Sequence, residues 1–189
     1  MKVLFLDVNG VLCLGYTGTL NHIALQNLKR IHDETGCLIV LASSWRNSGR
    51  RLKVVEDALF QMGIPALIGT TGVGRSRAHE ILEWIEAWNT MITTVGQLEG
   101  MLKAKRDPET KKAPEKDGLS PHFGHPRIFE WFVGSRLESG DLQVIQSWVS
   151  VDDEPTLKKG IPGNLVMTNT MKGLTGEDAD TAIRILSRK

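Results

Sequence analysis

The sequence predicts an α/β fold in which a parallel sheet is flanked by helices. Three short apolar runs, at residues 2–7, 38–43 and 148–152, are each followed by polar residues or glycine, as buried parallel strands are. Stretches with a helical spacing of apolar residues alternate with strands, which is typical of parallel α/β sheets. We expect residues 1–189 to form a single domain, because this length is enough for one hydrophobic core.

The first predicted helix covers residues 21–35, between the first two strands. Its apolar residues at helical spacing are Ile23, Leu25, Leu28 and Ile31. Gly36 follows it and suits the left-handed conformation that ends many helices. Strand, helix and strand together form a βαβ unit.

Two further amphipathic helices are predicted at residues 51–62 and 77–88, with a short strand at residues 66–69 between them. Their apolar faces consist of Leu52, Val55, Leu59 and Phe60 in the first and Ile81, Leu82, Trp84 and Ile85 in the second. A shorter helix is expected around residues 127–137. These elements extend the alternation of helices and strands along the chain.

The end of the chain is predicted to form an edge strand at residues 165–169 and a final helix at residues 176–187. Thr175 suits the N-cap of this helix. Asp178, three residues later, stands where a capping box usually has Glu.

Residues 89–145 are predicted to be a lid-like or flexible insertion, because helical periodicity weakens there. Within it, residues 103–117 contain six basic and four acidic side chains around two prolines. Two interpretations of this basic segment stay open. It is either a contact surface for a phosphate backbone or a solvated loop.

The composition excludes several classes of protein. The 23 Lys and Arg residues nearly balance the 22 Asp and Glu residues, so the net charge of +1 does not fit a protein that coats nucleic acid or membrane with its whole surface. No run approaches the roughly 18 apolar residues of a membrane span, so no membrane partner is expected. Two cysteines are too few for a disulfide framework, which favours a cytoplasmic, intracellular protein.

Polar side chains cluster at the predicted strand ends, where ligands of parallel sheets bind. These residues are Asp7, Asn9 and Gly10 after the first strand, Ser43 and Ser44 after the second, and Asp152 and Asp153 after the third. Mg²⁺ prefers carboxylate and carbonyl oxygens and completes its shell with substrate oxygens. The sequence therefore predicts a site for Mg²⁺ and a phosphate.

Three motifs at these strand ends resemble those of the haloacid dehalogenase (HAD) superfamily of phosphohydrolases. They are FLDVNGVL at residues 5–12, LASSWR at residues 41–46 and VSVDD at residues 149–153. More narrowly, the SSWR phrase, the Asp-Asp pair and the segment from Thr168 to Thr175 look like the small HAD domains associated with RNA-repair (Swiss Army Knife) proteins. The resemblance implies a Rossmann-like HAD fold. Between Asn9 and Ser43 the sequence has room only for a turn and one helix, so no large cap domain is expected there.

The resemblance also implies a mechanism. Asp7 would attack phosphorus and form an aspartyl-phosphate. Asp7, the backbone carbonyl of Asn9 and Asp152 would hold Mg²⁺, and Asp153 would hold a water on the metal.

The phosphate would be bound by Ser43, by the backbone amide of Ser44 and by the Gly10 turn. A cation is also required beside the acidic cluster and the phosphate. Arg77 is the first choice for it, Arg127 the second and Arg75 the third. Arg46 either forms a salt bridge that braces its loop or contacts substrate, and Trp45 either packs into the loop or stacks on a base.

The sequence departs from the HAD pattern at Asn9, where phosphatases of the superfamily usually have an Asp that acts as general acid and base. An amide side chain can perform neither role. Three functions stay open: an impaired phosphatase acting on a nucleic-acid end or a phosphoprotein, a catalytically silent module that binds a phosphorylated partner, and a hydrolase whose substrate has a good leaving group.

Overall fold

The computed structural model of the protein describes residues 1–15, 17–104 and 143–188 and confirms the predicted α/β fold. The strands are β1 (Lys2–Leu6), β2 (Leu38–Leu41), β3 (Gly69–Thr70), β4 (Ser147–Asp152) and β5 (Leu165–Met167). Within these ranges they form one parallel sheet in the order β3-β2-β1-β4-β5. The strand that ends before Asp7 is therefore central.

Helices cover both faces of this sheet. They are α1 (His22–Thr35), α2 (Gly49–Gln61), α3 (Arg77–Ala104), α4 (Leu157–Gly160) and α5 (Gly176–Leu186). Side chains of β1 alternate between the two layers. Leu4 and Leu6 belong to the core cluster with α1, α2 and α5, whereas Val3 and Phe5 belong to the cluster with α3 and α4. Burial on both faces explains why the strands are continuous apolar runs.

Two predicted helix caps are confirmed. Gly36 has a φ of 65° and donates its backbone N–H to the carbonyl of His32 at 2.8 Å. Thr175 and Asp178 form a reciprocal capping box, in which each side chain accepts the backbone N–H of the other residue. The shorter Asp therefore closes the box as Glu usually does.

Helix α3 is longer than predicted, since it continues past residue 88 to Ala104. The segment after residue 88 contains no proline until residue 108, so nothing in it forces the helix to end. The sequence signal is weak because the segment is rich in residues of low helix propensity: Asn89, Thr90, Thr93, Thr94, Gly96 and Gly100. The predicted insertion at residues 89–145 thus begins inside α3, while the helix expected around residues 127–137 lies outside the described residues.

The short strand predicted at residues 66–69 is shifted in the structure. β3 consists of Gly69 and Thr70, which pair with Val40 and Leu41. Leu67 is buried but lies outside the strand. Its apolar side chain therefore reflects packing in the core and not hydrogen bonding to β2.

Three apolar residues assigned to buried helix faces are exposed instead: Ile23, Phe60 and Leu82 are 66%, 83% and 44% accessible. Each directly neighbours the buried stripe in sequence. Each step of one residue rotates the side-chain direction by about 100° around the helix axis, which is enough to turn a side chain to solvent.

No helix in the described part of the chain is long and apolar enough to span a membrane.

The segment after β5 fastens the loop that follows β1. The buried hydroxyl of Thr168 donates to the carbonyl of Gly10 at 2.8 Å. The N–H of Leu174 donates to the carbonyl of Val11 at 2.9 Å. These two hydrogen bonds hold the backbone of the loop that follows Asp7 and Asn9.

Thr168→Val should lower the free energy of unfolding by about 1–2 kcal/mol, because the buried Gly10 carbonyl loses its donor while the side-chain shape is retained. Thr181→Val is the matched control, since that hydroxyl is exposed and bonds only within its own helix. Urea unfolding of the three proteins measures the difference. Equal stabilities for both variants would contradict a fastening role for Thr168.

Candidate active site

The pairing of two neighbouring strands places two carboxylates side by side. Leu6 pairs with Val151 in the β1–β4 ladder, and the Asp7 N–H donates to the Val151 carbonyl at 3.1 Å. Asp7 and Asp152 follow these residues at the carboxyl edge of the sheet. They are only 8% and 2% accessible, so both charges lie largely out of water.

Asp153 adds a third carboxylate to this group. One carboxylate oxygen from each of Asp7, Asp152 and Asp153 lies within 4.8 Å of the others. Asp153 is held by the Thr170 hydroxyl, which donates to it at 2.6 Å. A set made only of oxygen donors fits Mg²⁺, and it is the one such cluster in the part of the chain that the structure describes.

The approach of Asp153 depends on the absence of a side chain at Gly10. A Cβ atom at that position would lie 2.1 Å from Asp153 Oδ2, and the φ of Gly10 is +67°. Only glycine satisfies both conditions without strain. The Gly10 turn therefore leaves the space that the third carboxylate occupies.

The carboxylates are hard to ionise in this setting. Burial, reinforced by the charge of Asp7, raises the pKa of Asp152 to about 7. Burial also raises the pKa of Asp7, against the opposing effects of the Arg77 charge and a hydrogen bond from Ser43. A bound divalent cation would relieve this penalty, because the charged forms would then be compensated. Burial raises the pKa of the nearby Cys13 thiol to about 11, so it offers no thiolate ligand.

Arg77 bridges the two buried carboxylates. Its Nη1 lies 3.2 Å from Asp7 Oδ1 and 3.4 Å from Asp152 Oδ2. Of the other two candidate cations, Arg75 is exposed in the loop before α3, and Arg127 lies outside the described residues. The geometry therefore brings Arg77 to the acidic cluster.

Glu80 orients Arg77 and was not identified from the sequence. Its Oε2 lies 3.5 Å from Arg77 Nε and 3.1 Å from Arg46 Nη2, and its Oε1 accepts the Gly74 N–H at 3.0 Å. The carboxylate is 8% accessible. Its position three residues after Arg77 on α3 is the signal that was available, since residues so spaced share a helix face.

Arg46 serves as a brace in this structure. Besides its ion pair with Glu80, its Nη2 donates to the Gly72 carbonyl at 2.9 Å. It thereby ties the loop after β2 to the loop after β3. Of the two sequence interpretations for Arg46, the structure shows the salt bridge.

The loop after β2 lies beside Asp7 and contacts Asn9. Ser43 is fully buried, its Oγ accepts the Trp45 backbone N–H at 3.5 Å, and its hydroxyl lowers the pKa of the Asp7 carboxyl group. Ser44 is exposed and begins a 3₁₀ turn, Ser44–Asn47. Trp45 is packed in the core, 3% accessible, and its Nε1–H donates to Asn9 Oδ1 at 3.1 Å.

Residues 3–96 match the family model described as "HAD domain in Swiss Army Knife RNA repair proteins". Comparisons with curated proteins and with solved structures gave no match. The matched segment includes Asp7, Ser43 and Arg77, whereas Asp152 and Asp153 lie beyond it. The ion pair from Arg77 to Asp152 therefore joins the matched segment to the rest of the site.

Glu80→Gln should lower the free energy of unfolding by about 3 kcal/mol, because it leaves the Arg46 and Arg77 charges buried without their shared partner. Glu83→Gln, on the same helix, removes an exposed carboxylate that contacts His79 and should cost at most about 0.5 kcal/mol. Urea unfolding compares the two. A Glu80 variant as stable as the Glu83 variant would contradict the role assigned to Glu80.

Asp152 should make stability depend on both pH and Mg²⁺. Its folded-state pKa of about 7 exceeds the ordinary 3.8, so the folded protein holds this proton more tightly than the unfolded chain. Without Mg²⁺, the contribution of Asp152 to stability is then greatest below about pH 4 and is lost as the pH rises to about 7. Protons compete with the metal, so Mg²⁺ should raise the melting temperature more at about pH 8 than at about pH 6.

Asp152→Asn tests this prediction, because the amide does not titrate. Melting curves should show a smaller loss of stability with rising pH and a smaller Mg²⁺ effect than in the wild type. Asp57→Asn, which changes an exposed carboxylate on α2 paired with Lys53, should behave like the wild type. A Mg²⁺ effect that Asp152→Asn leaves intact would place the metal elsewhere.

Proposed function

Because the chain belongs to the family of HAD domains of Swiss Army Knife RNA repair proteins, we propose that it is a Mg²⁺-dependent phosphatase acting on a phosphate monoester. The observation that carries the proposal is the cluster of Asp7, Asp152 and Asp153 with Arg77 bridging two of its members. A nucleophile, an oxygen-only metal site and a cation for the phosphate thus meet at one edge of the sheet.

Asp7 is the proposed nucleophile. One of its carboxylate oxygens attacks phosphorus, the bond from phosphorus to the ester oxygen breaks, and an aspartyl-phosphate forms. Arg77, which contacts the Asp7 carboxylate, and the buried Ser43 hydroxyl, which lowers the pKa of Asp7, stabilise the negative charge on the transferring group. Mg²⁺, held by Asp7, Asp152 and Asp153 with the Asn9 carbonyl, would neutralise phosphate oxygens.

Water completes the cycle. It attacks the same phosphorus, the bond to Asp7 breaks, and inorganic phosphate leaves while the carboxylate is regenerated. The amide side chain of Asn9 can neither donate nor accept a proton in these steps. The leaving alkoxide therefore takes its proton from solvent, and the attacking water gives its proton to solvent. Turnover of an alkyl phosphate is therefore expected to be slow, and an ester whose leaving group is stable without protonation should react faster.

A second function, a silent module that binds a phosphorylated partner, is favoured by the position of Asn9. Its Oδ1 is engaged by the Trp45 indole N–H. The side chain is therefore held in place by the buried core and takes no part in proton transfer. A binding module needs only the groups that hold a phosphate, namely Arg77, Ser43 and the metal site. It needs no group for proton transfer at position 9.

The substrate phosphate is proposed to project from a macromolecule, such as a nucleic-acid end or a phosphoprotein. Between Asn9 and Ser43, the described residues form a turn, α1 and β2, so no cap domain enters at that position. The family description, which refers to RNA repair, supports the nucleic-acid end.

Asn9→Asp should raise the turnover of an alkyl phosphate by roughly 10²–10⁴-fold, the usual contribution of general acid–base catalysis. Acetyl phosphate, whose leaving group needs no proton, should gain much less. Asn47→Asp makes the same chemical change at an exposed position of the 3₁₀ turn and should leave both rates unchanged. Phosphate release in the presence of Mg²⁺ measures all three proteins.

The result separates the two functions. Hydrolysis of acetyl phosphate by the wild type supports the enzyme. A wild type and an Asn9→Asp variant that both bind Mg²⁺ and BeF₃⁻ without turnover would indicate the binding module. If neither protein binds these ligands, both functions fail.

A further inference from the structure

Charge is distributed unequally around the candidate active site. Residues 43–55 and 71–79, which follow β2 and β3, contain five arginines and one lysine and no Asp or Glu. On the opposite side, residues 152–154, at the end of β4 and just after it, are all acidic. The near-neutral chain therefore has one strongly basic side at its active-site edge.

Three of these arginines have no partner carboxylate among the described residues. Arg50, Arg51 and Arg75 are exposed, and the ion pairs of the described part of the chain include none of them. The remaining basic residues of the two segments are engaged: Arg46 and Arg77 with Glu80, and Lys53 with Asp57.

Contacts tie this basic surface to the site. The Arg51 guanidinium lies 5.6 Å from the centre of the Trp45 ring, and Trp45 itself holds Asn9. Arg75 precedes Arg77 by two residues. The bond from Arg46 to the Gly72 carbonyl joins the two loops, so Arg50, Arg51 and Arg75 belong to one side of the site.

We propose that Arg50, Arg51 and Arg75 bind the phosphodiester backbone of a single-stranded nucleic acid whose terminal phosphate lies at Asp7. This inference rests on the proposed function and adds the path of the substrate. The strand leaves the site over the loops after β2 and β3, toward the β3 edge, because Arg50, Arg51 and Arg75 lie on that side.

The number and type of side chains favour this substrate. A single phosphate is already provided with Arg77 and Ser43, so three further guanidinium groups without a partner carboxylate among the described residues fit a substrate with repeated phosphates. Arginine forms paired hydrogen bonds with phosphate oxygens, and its planar group also stacks on bases. A phosphopeptide lacks a negative charge repeated at every unit.

The test compares two triple variants of the full chain. Arg50→Gln/Arg51→Gln/Arg75→Gln removes the proposed surface. Lys158→Gln/Lys159→Gln/Lys172→Gln is the matched control, because it removes the same charge from exposed positions after β4 and β5. Fluorescence anisotropy measures binding of single-stranded RNAs of about 12 nucleotides, with a 5′- or a 3′-terminal phosphate, over a range of salt concentrations.

The arginine variant should bind roughly 10- to 100-fold more weakly at about 0.1 M salt, and the slope of log affinity against log salt should fall by about 2, since each single-strand phosphate contact contributes about 0.7. The lysine variant should match the wild type. Replacing the same three arginines by lysine should retain most of the slope, which separates loss of charge from loss of folding.

The proposal is overturned if the arginine variant keeps the wild-type slope, if the lysine variant loses as much, or if an acidic phosphoserine peptide competes as well as RNA. Hydrolysis of p-nitrophenyl phosphate by the wild type distinguishes failure of the proposed phosphatase activity from failure of the proposed RNA-binding surface. Without that hydrolysis the proposed phosphatase fails. With it, unchanged RNA binding by the arginine variant refutes only the binding surface.

Discussion

Burial of two neighbouring carboxylates is the constraint on which the rest of the site depends. The register of β1 and β4 places Asp7 beside Asp152, where burial and mutual repulsion both oppose ionisation. Arg77 supplies the nearest positive charge, and Glu80 holds Arg77 while it also compensates Arg46. The charged network is therefore a consequence of the strand register, and a divalent cation would complete its neutralisation.

The sequence predicted the sheet and the acidic cluster because both depend on local signals. Buried strands are short apolar runs, and in parallel sheets their carboxyl ends meet at one edge, so Asp7, Ser43 and Asp152 were found together. Glu80 was missed because its spacing from Arg77 shows that the two residues share a helix face but not that this face is buried. The length of α3 was missed because its second half is rich in Asn, Thr and Gly, which have low helix propensity.

The hydrogen bond from Trp45 to Asn9 connects the hydrophobic core directly to the candidate site. The indole belongs to the hydrophobic core and donates its one hydrogen bond to the residue that departs from the HAD pattern. An Asp at position 9 would accept the same hydrogen bond, which favours the ionised carboxylate. The indole thus fixes the side chain at position 9 for either residue.

The pairing of β1 with β4 also determines when the site can assemble. Asp7 and Asp152 are neighbours in space, yet they are 145 residues apart in the sequence (152 − 7), and the segment that bonds the Gly10 turn comes later still. Contacts between distant segments form slowly because a long loop must close first. During synthesis, β1 can pair with β2 early, but its other edge stays open until β4 emerges. The acidic cluster is therefore among the last parts of the molecule to form, and a chain that has not reached β4 lacks it.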